Sequence, residues 1–147
     1  MMESEKTYAM LAKRVALFHG LTEHDIARIF ARGMTVRVQQ GERVFYKGTV
    51  GNQMYVVLGG RVGIYDDKER IASLSTGDTF GEMALIDREP RSATVMADED
   101  SLLFVLSEST FHRLLTKRVA IKILLNIVRT LSHRLREMNA RLQDHND

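Results

Sequence analysis

Between Met34 and Leu106 no apolar run lasts more than a few residues before a turn-forming residue interrupts it. Eight of the chain's ten glycines fall there, at 41, 48, 51, 59, 60, 63, 77 and 81, with Asp66 and Asp67 marking one more turn. Punctuation this dense leaves no room for an amphipathic helix of ordinary length and favours short antiparallel strands joined by tight turns. The apolar runs predict strands at Thr35 to Val38, Arg43 to Tyr46, Gln53 to Leu58, Arg61 to Tyr65, Arg70 to Leu74, Ala93 to Ala97 and Leu102 to Leu106. Strands at this regular spacing predict a sandwich or barrel, the jelly-roll type included.

The flanks have a different period. Residues Tyr8 to Phe18 place apolar side chains at helical spacing until Gly20 stops the pattern, and Thr22 opens a second helix with Asp25 at its N3 position. Ser107 is placed to cap a helix running through Phe111 and Leu115, and a last helix spans about Val119 to Leu142. The expected fold is therefore α+β and mainly β: an antiparallel β-roll or jelly-roll barrel between N-terminal helices (1–33) and C-terminal helices (108–147). With 147 residues and 44% hydrophobic content, one core and a single domain over 1–147 are expected.

Composition closes off several kinds of chemistry. There is no cysteine, which excludes disulfides, thiolate metal sites, iron–sulfur ligation and a cysteine nucleophile, and makes the cytoplasm the expected location. Twenty-one basic residues against nineteen acidic ones leave a net charge of only +2, so polyanion binding gets no support. No apolar run approaches the roughly 18 residues of a membrane span, and Met1 to Lys6 is polar rather than a signal sequence. His19, His24, His112, His133 and His145 show no pairing at metal-ligand spacing, and no metal is assigned.

One stretch breaks the strand rhythm. Residues 76–92 read TGDTFGEMALIDREPRS, where Gly77 and Gly81 permit sharp turns and Glu82, Met83, Ala84 and Leu85 are good formers of about one helical turn. The start of such a turn presents unpaired backbone N–H groups suited to an anion. Arg91, its approach set by the chain's only proline at 90, offers a planar fork for phosphate, and Ser92 adds a hydroxyl. Glu82 would repel an anion unless it accepts hydrogen bonds from neutral donors, and ribose hydroxyls meet that need. Chemistry alone leaves a second reading open: an ordinary turn on which Glu82 and Arg91 form a surface ion pair.

The string Phe80-Gly81-Glu82-Met83-Ala84-Leu85, followed by Arg91-Ser92-Ala93-Thr94-Val95, resembles the phosphate-binding cassette of the cyclic nucleotide-binding domain family. The resemblance extends to Gly41 through Phe45, the Gly48 to Gly51 turn, Met54 through Leu58, and Gly77 through Phe80, and it puts the cassette at 80–95 within a roll of 34–107. It implies that Glu82 accepts a bond from the ribose 2′-hydroxyl and that Arg91 neutralises the cyclic phosphate. Ser92 and backbone N–H groups around Met83, Ala84 and Ala93 would complete the cradle. The implied ligand is cAMP or cGMP, with no other cofactor and no enzymatic step.

In the last helix, Ile121, Leu124, Val128, Leu131, Leu135, Met138 and Leu142 are separated alternately by three and four residues, an a/d heptad seam. Ile123, Leu125 and Ile127 widen the apolar surface in the first half, so that half is expected to pack on the barrel and the other on a partner. β-Branched residues at a and leucines at d favour a parallel pair, hence a homodimer; the alternative is a helix folded only onto its own domain. Arg129, Arg134, Arg136 and Arg141 read as a solvated face rather than a nucleic-acid or membrane surface. In the family this helix closes over the base, and Asn139, or secondarily Arg134, is the residue expected to meet it.

The expectation that follows is a cytoplasmic sensor that binds cAMP or cGMP and signals by moving its last helix. Two rivals stand beside it. One is the sensor half of a catabolite-activator-like transcription regulator without its DNA-binding domain. The other is a dimerisation module with a vestigial cassette.

Overall fold

A computed structural model describes residues 9–11, 13–114 and 116–146 of the chain, excluding the side chains of Leu114, His145 and Asn146. Tyr8 and Leu115, both placed in helices by their periodicity, lie outside the described residues. Residues 9–11 and 13–14 are helical, and a 3₁₀ turn follows at Ala16–Phe18. Helix α1 (Glu23–Arg32) opens with a complete capping box: Thr22 Oγ1 accepts from the Asp25 N–H and Asp25 accepts from the Thr22 N–H, each at 3.1 Å.

Eight strands follow among the described residues: β1 (Met34–Val38), β2 (Arg43–Phe45), β3 (Gln53–Gly59), β4 (Arg61–Asp66), β5 (Glu69–Ser75), β6 (Thr79–Phe80), β7 (Thr94–Ala97) and β8 (Ser101–Ser107). They form two antiparallel four-stranded sheets, in the orders β1-β8-β3-β6 and β2-β7-β4-β5. Seven match the predicted strands to within a residue at each end. The eighth, β6, escaped the sequence reading because two residues cannot show a period. It is held by pairing of Tyr55 with Phe80 and Val56 with Thr79.

Strand β3 shows how the sheets share their side chains. Met54 and Val56 point to a core beneath the helices with Leu11, Phe18, Ile26 and Ile123. Tyr55 and Val57 point between the sheets, with Val62, Phe80, Val95 and Leu103. Strand β8 alternates likewise, Phe104 and Leu106 to the first core and Leu103 and Val105 to the second. A strand buried on both faces reads as a continuous apolar run, and MYVVL and LLFVL are such runs. Between β3 and β4 the chain reverses at Gly60, whose φ of +85° belongs to the left-handed region that glycine enters without steric cost.

Helix α2 (Glu108–Leu114) starts where predicted, with Ser107 Oγ accepting from the Thr110 N–H at 3.2 Å. Helix α3 (Lys117–Asn146) runs beyond the predicted Val119 to Leu142 at both ends. Its first half packs chiefly on the Ala16–Phe18 turn rather than on the barrel. Val119, Ile123 and Ile127 are buried there, each isoleucine contributing about 1.5 to 3 kcal/mol, while Leu125 is exposed.

Three polar contacts fix the same half. Arg118 Nη2 donates to both carboxylate oxygens of Asp25 at 2.9 and 3.0 Å, and Lys122 Nζ donates to the Gly20 carbonyl at 2.6 Å. Buried Asn126 donates through Nδ2 to the carbonyls of Leu17 and His19 at 2.8 and 2.9 Å. The predicted seam, from Ile121 to Leu142, is exposed along its whole length and touches neither core.

Candidate functional site

The segment that broke the strand rhythm folds as one wall of a cavity. Gly81 takes a left-handed conformation, φ +72° and ψ +11°, and turns the chain out of β6 into a single 3₁₀ turn, Glu82–Leu85. The Ala84 N–H donates back to the Gly81 carbonyl at 3.1 Å, so it is already engaged within the turn. The open start of the turn thus lies at the N–H groups of Glu82 and Met83. Leu85 points away from the cavity into the core beneath the helices.

Arg91 is positioned by the loop opposite. Its N–H donates to the Thr49 carbonyl and its carbonyl accepts from the Gly48 N–H, both at 2.8 Å, while Pro90 forms a bridge with Val50. The guanidinium reaches inward, donating from Nη2 to the Gln53 carbonyl at 2.8 Å and from Nη1 to the Gly81 carbonyl at 3.4 Å. It lies over the Phe45 ring, 4.2 Å from the centroid. Its Nε is buried without a hydrogen-bond partner.

Space for the guanidinium depends on an absent side chain. A Cβ on Gly51 would stand 2.2 Å from Nη2, nearer than any real contact allows. Gly51 therefore makes room for the guanidinium by its lack of bulk, not by its backbone conformation, and its spacing in the sequence marked only a turn.

Burial lowers the Arg91 pKa from its ordinary value, and the neighbouring Tyr55 and Glu82 partly restore it. Arginine is so basic that the group stays charged. Tyr55 is pushed up by its own burial, with Arg91 opposing. The surface ion pair left open above between Glu82 and Arg91 does not form. Glu82 is 5% exposed, and it accepts instead from Arg134 Nη1 of helix α3 at 3.1 Å. The carboxylate is thus compensated from outside, and among the described residues Arg91, set against carbonyls and the Phe45 ring, has no carboxylate partner.

The cavity between these groups has a volume of about 510 Å³, within the range of small-molecule sites. Residues 80–84, 91–93 and Arg134 line it together with apolar Ile64, Ala72 and Leu74. Asp87 and Glu89 stand at the rim, exposed to water that screens them. Of the two residues expected to meet a base, Arg134 lines the cavity while Asn139 lies exposed on α3 and does not. The residues missed by the sequence reading are Gln53, Phe45 and Tyr55, which bed the arginine, and Asn126, which anchors α3. No spacing rule links Phe45 or Gln53 to Arg91 across some forty residues, so only the fold brings them together.

An apolar lining together with a desolvated cation and a hydrogen-bond-accepting carboxylate suits a ligand that is flat and apolar at one end, hydroxylated in the middle and anionic at the other. Among the described residues no group of histidine, aspartate or glutamate side chains is arranged to hold a metal ion, and no helix is long and apolar enough to cross a membrane.

The sequence model of the cyclic nucleotide-binding domain matches residues 35–118. The cyclic AMP receptor protein of Thermus thermophilus is 31% identical over 131 residues, 86% of this chain and 60% of the relative. The type II regulatory subunit of cAMP-dependent protein kinase from Drosophila melanogaster is 31% identical over 105 residues, 71% of this chain and 28% of the relative. The chain thus spans less than two thirds of either protein. Among solved structures, a cyclic nucleotide-binding domain from Methylobacillus flagellatus KT superposes with a TM-score of 0.82 at 22% identity, covering 96% of this chain and 83% of that one. With a β-roll of two antiparallel sheets, a long C-terminal helix and a family model matched over more than half its length, the chain belongs to the cyclic nucleotide-binding domain family.

Proposed function

We propose that this chain is a cyclic nucleotide receptor that takes cAMP in the cavity and performs no chemistry on it. The observation that carries the reading is the state of Arg91: a half-buried cation that, among the described residues, has no carboxylate partner and no partner for Nε, held open beside the cassette turn. Such a group gains most from an anion, because the desolvation has already been met by the fold. In this reading the cyclic phosphate lies on Arg91, with the N–H groups at the start of the turn and the Ser92 hydroxyl. The ribose 2′-hydroxyl donates to Glu82, and the base lies against Ile64, Ala72 and Leu74. cGMP is the competing ligand, and cAMP is favoured because it is the ligand named for both curated relatives.

Output runs through α3. Arg134 hydrogen-bonds the same carboxylate that the ribose would use, so nucleotide binding alters a contact of the helix and biases its position. The exposed seam from Ile121 to Leu142 supports a homodimer about paired α3 helices. With Ile121 at an a position, Arg134 falls at g and Asn139 at e. In a parallel pair a g residue lies beside the e residue of the next heptad on the other helix, so Asn139 of the partner subunit would stand next to Arg134 and thus near the base. This offers a route for Asn139 to the site that its own cavity lacks.

The whole chain acts as one cytoplasmic domain in this reading, without nucleic acid or membrane contacts of its own. A second reading, the sensor half of a transcription regulator, draws on the match to 60% of the Thermus cyclic AMP receptor protein. It predicts a reading frame continuing into a helix-turn-helix domain.

The test is thermal unfolding with and without excess cAMP and cGMP. A hundredfold excess over Kd adds about 2.7 kcal/mol to the native state, roughly 5 to 10 °C at this size. A shift with neither nucleotide would favour the vestigial, purely dimerising module.

A further inference from the structure

We propose that Phe45 is a positioning residue for anion binding, whose ring keeps the Arg91 guanidinium available to a ligand instead of to Glu82; this rests on the receptor reading above. The ring sits 4.2 Å below the guanidinium carbon. It is itself fixed by neighbours, its centroid 5.9 Å from each of Tyr55 and Phe80, which stack on one another at 4.8 Å. Phe45 and Phe80 line one end of the cavity, Tyr55 backs them, and the Arg91 guanidinium lies over the Phe45 ring.

An arginine removed from water seeks negative charge, and Glu82 is near enough to act on it electrostatically. Collapse onto Glu82 would satisfy both groups internally and leave neither for a nucleotide. Phe45 opposes this in two ways. The face of the ring is the negative end of its quadrupole, so it stabilises the cation without occupying the N–H groups along the guanidinium edge. It also sets the plane of the fork, leaving Nη1 and Nη2 on backbone carbonyls and Nε unengaged. The charge is thereby retained for a ligand that brings its own anion. Leucine at 45 would fill much of the same volume but has no quadrupole, whereas tyrosine or tryptophan would keep it.

The experiment measures cAMP binding by calorimetry for the wild type, Phe45→Leu and Phe45→Tyr, and records the Arg91 Nε–H resonance of each protein without ligand. Phe45→Leu is expected to lose roughly three- to thirtyfold in affinity, the range expected of a desolvated cation–π contact, and Phe45→Tyr to restore it. The Nε–H resonance should be displaced upfield by the ring in the wild type and in Phe45→Tyr and should move downfield in Phe45→Leu. A merely structural role would lower affinity only in step with thermal stability, and equally in both variants. Wild-type affinity in Phe45→Leu, or an Nε–H resonance unchanged by that substitution, would overturn the inference while the receptor reading stood. A wild type that binds no cyclic nucleotide but shows the shifted resonance would overturn the receptor reading, and with it the role given to Phe45.

Discussion

Arg134 and Glu82, separated by 52 residues in sequence, meet at 3.1 Å, with the arginine half-exposed on α3 and the carboxylate buried in the cassette turn. The contact is the direct polar link between the cavity and the helix proposed to carry its signal. It also supplies what the sequence did not show, a cation that compensates a carboxylate placed beside a proposed anion site. The compensating charge comes from a helix that only the fold brings near.

Arg134→Met leaves that buried carboxylate without its cation. Because the arginine is half-exposed, the expected loss of stability is about 1 to 2 kcal/mol, less than for a fully buried pair. Urea unfolding of the free protein measures it. Glu82→Gln should cost less stability than Arg134→Met, yet weaken cAMP binding more.

Arg91→Ala removes charged hydrogen bonds to the ligand, each typically 1.5 to 3 kcal/mol, and cAMP affinity should fall roughly ten- to a hundredfold by calorimetry. Gly51→Ala should approach the same loss with no change of charge, because its Cβ would stand 2.2 Å from Nη2 and must displace the fork. Equal affinity in Gly51→Ala and wild type would show that the guanidinium position does not matter to binding.

The seam predicts an oligomeric state. Leu131 is 40% exposed and Leu135 60%, and neither joins a core, so the double substitution Leu131→Glu, Leu135→Glu should yield a monomer by sedimentation. Thermal stability of the roll should change little. A wild type that sediments as a monomer at all concentrations removes the dimer.

Asp25 links α1 to α3, and its titration gives a pH signature. Its burial, the largest single influence, pushes the carboxyl up, but the Thr22 N–H, Arg118 and the Thr22 hydroxyl together outweigh it and hold the pKa below its ordinary value. A group with a lowered native pKa adds stability that is fully present above its unfolded value, about 3.9, and is lost as pH falls through the native value. Asp25→Asn should therefore be less stable than wild type at pH 7, by about 1 kcal/mol as for a lost cap, and the gap should close below pH 4. Denaturant unfolding at pH 7 and pH 3 compares them.

Asn126→Leu removes the donors from the Leu17 and His19 carbonyls, and unfolding should show a loss of about 1 to 3 kcal/mol for the orphaned groups. Deuterium exchange should rise in the first half of α3 and along residues 16–21.

What the sequence determined by itself was local. Glycine placement and apolar runs set the seven longer strands to within a residue at each end, because a strand's period and its turns are written in neighbouring residues. Thr22 with Asp25, and Ser107, announced their helices by short-range hydrogen bonds. The candidate site was legible as a motif because Gly81 through Leu85 and Arg91 with Ser92 lie within twelve residues, though their chemistry alone left two readings open and the resemblance to a known family chose between them.

Tertiary structure decided how these pieces were used. Glu82 and Arg91, nine positions apart, do not pair; one takes Arg134 from α3 and the other lies on Phe45 from β2. Strand β6 exists only because β3 is there to pair with it. On α3 the periodicity displayed the exposed seam and marked Ile123 and Ile127 as packing residues, but not the buried Asn126 beside them nor the N-terminal turn on which that edge rests. The physical reason is common to all three. Burial and charge compensation depend on which distant surface arrives, and that is set by the packing of the whole chain rather than by any local pattern.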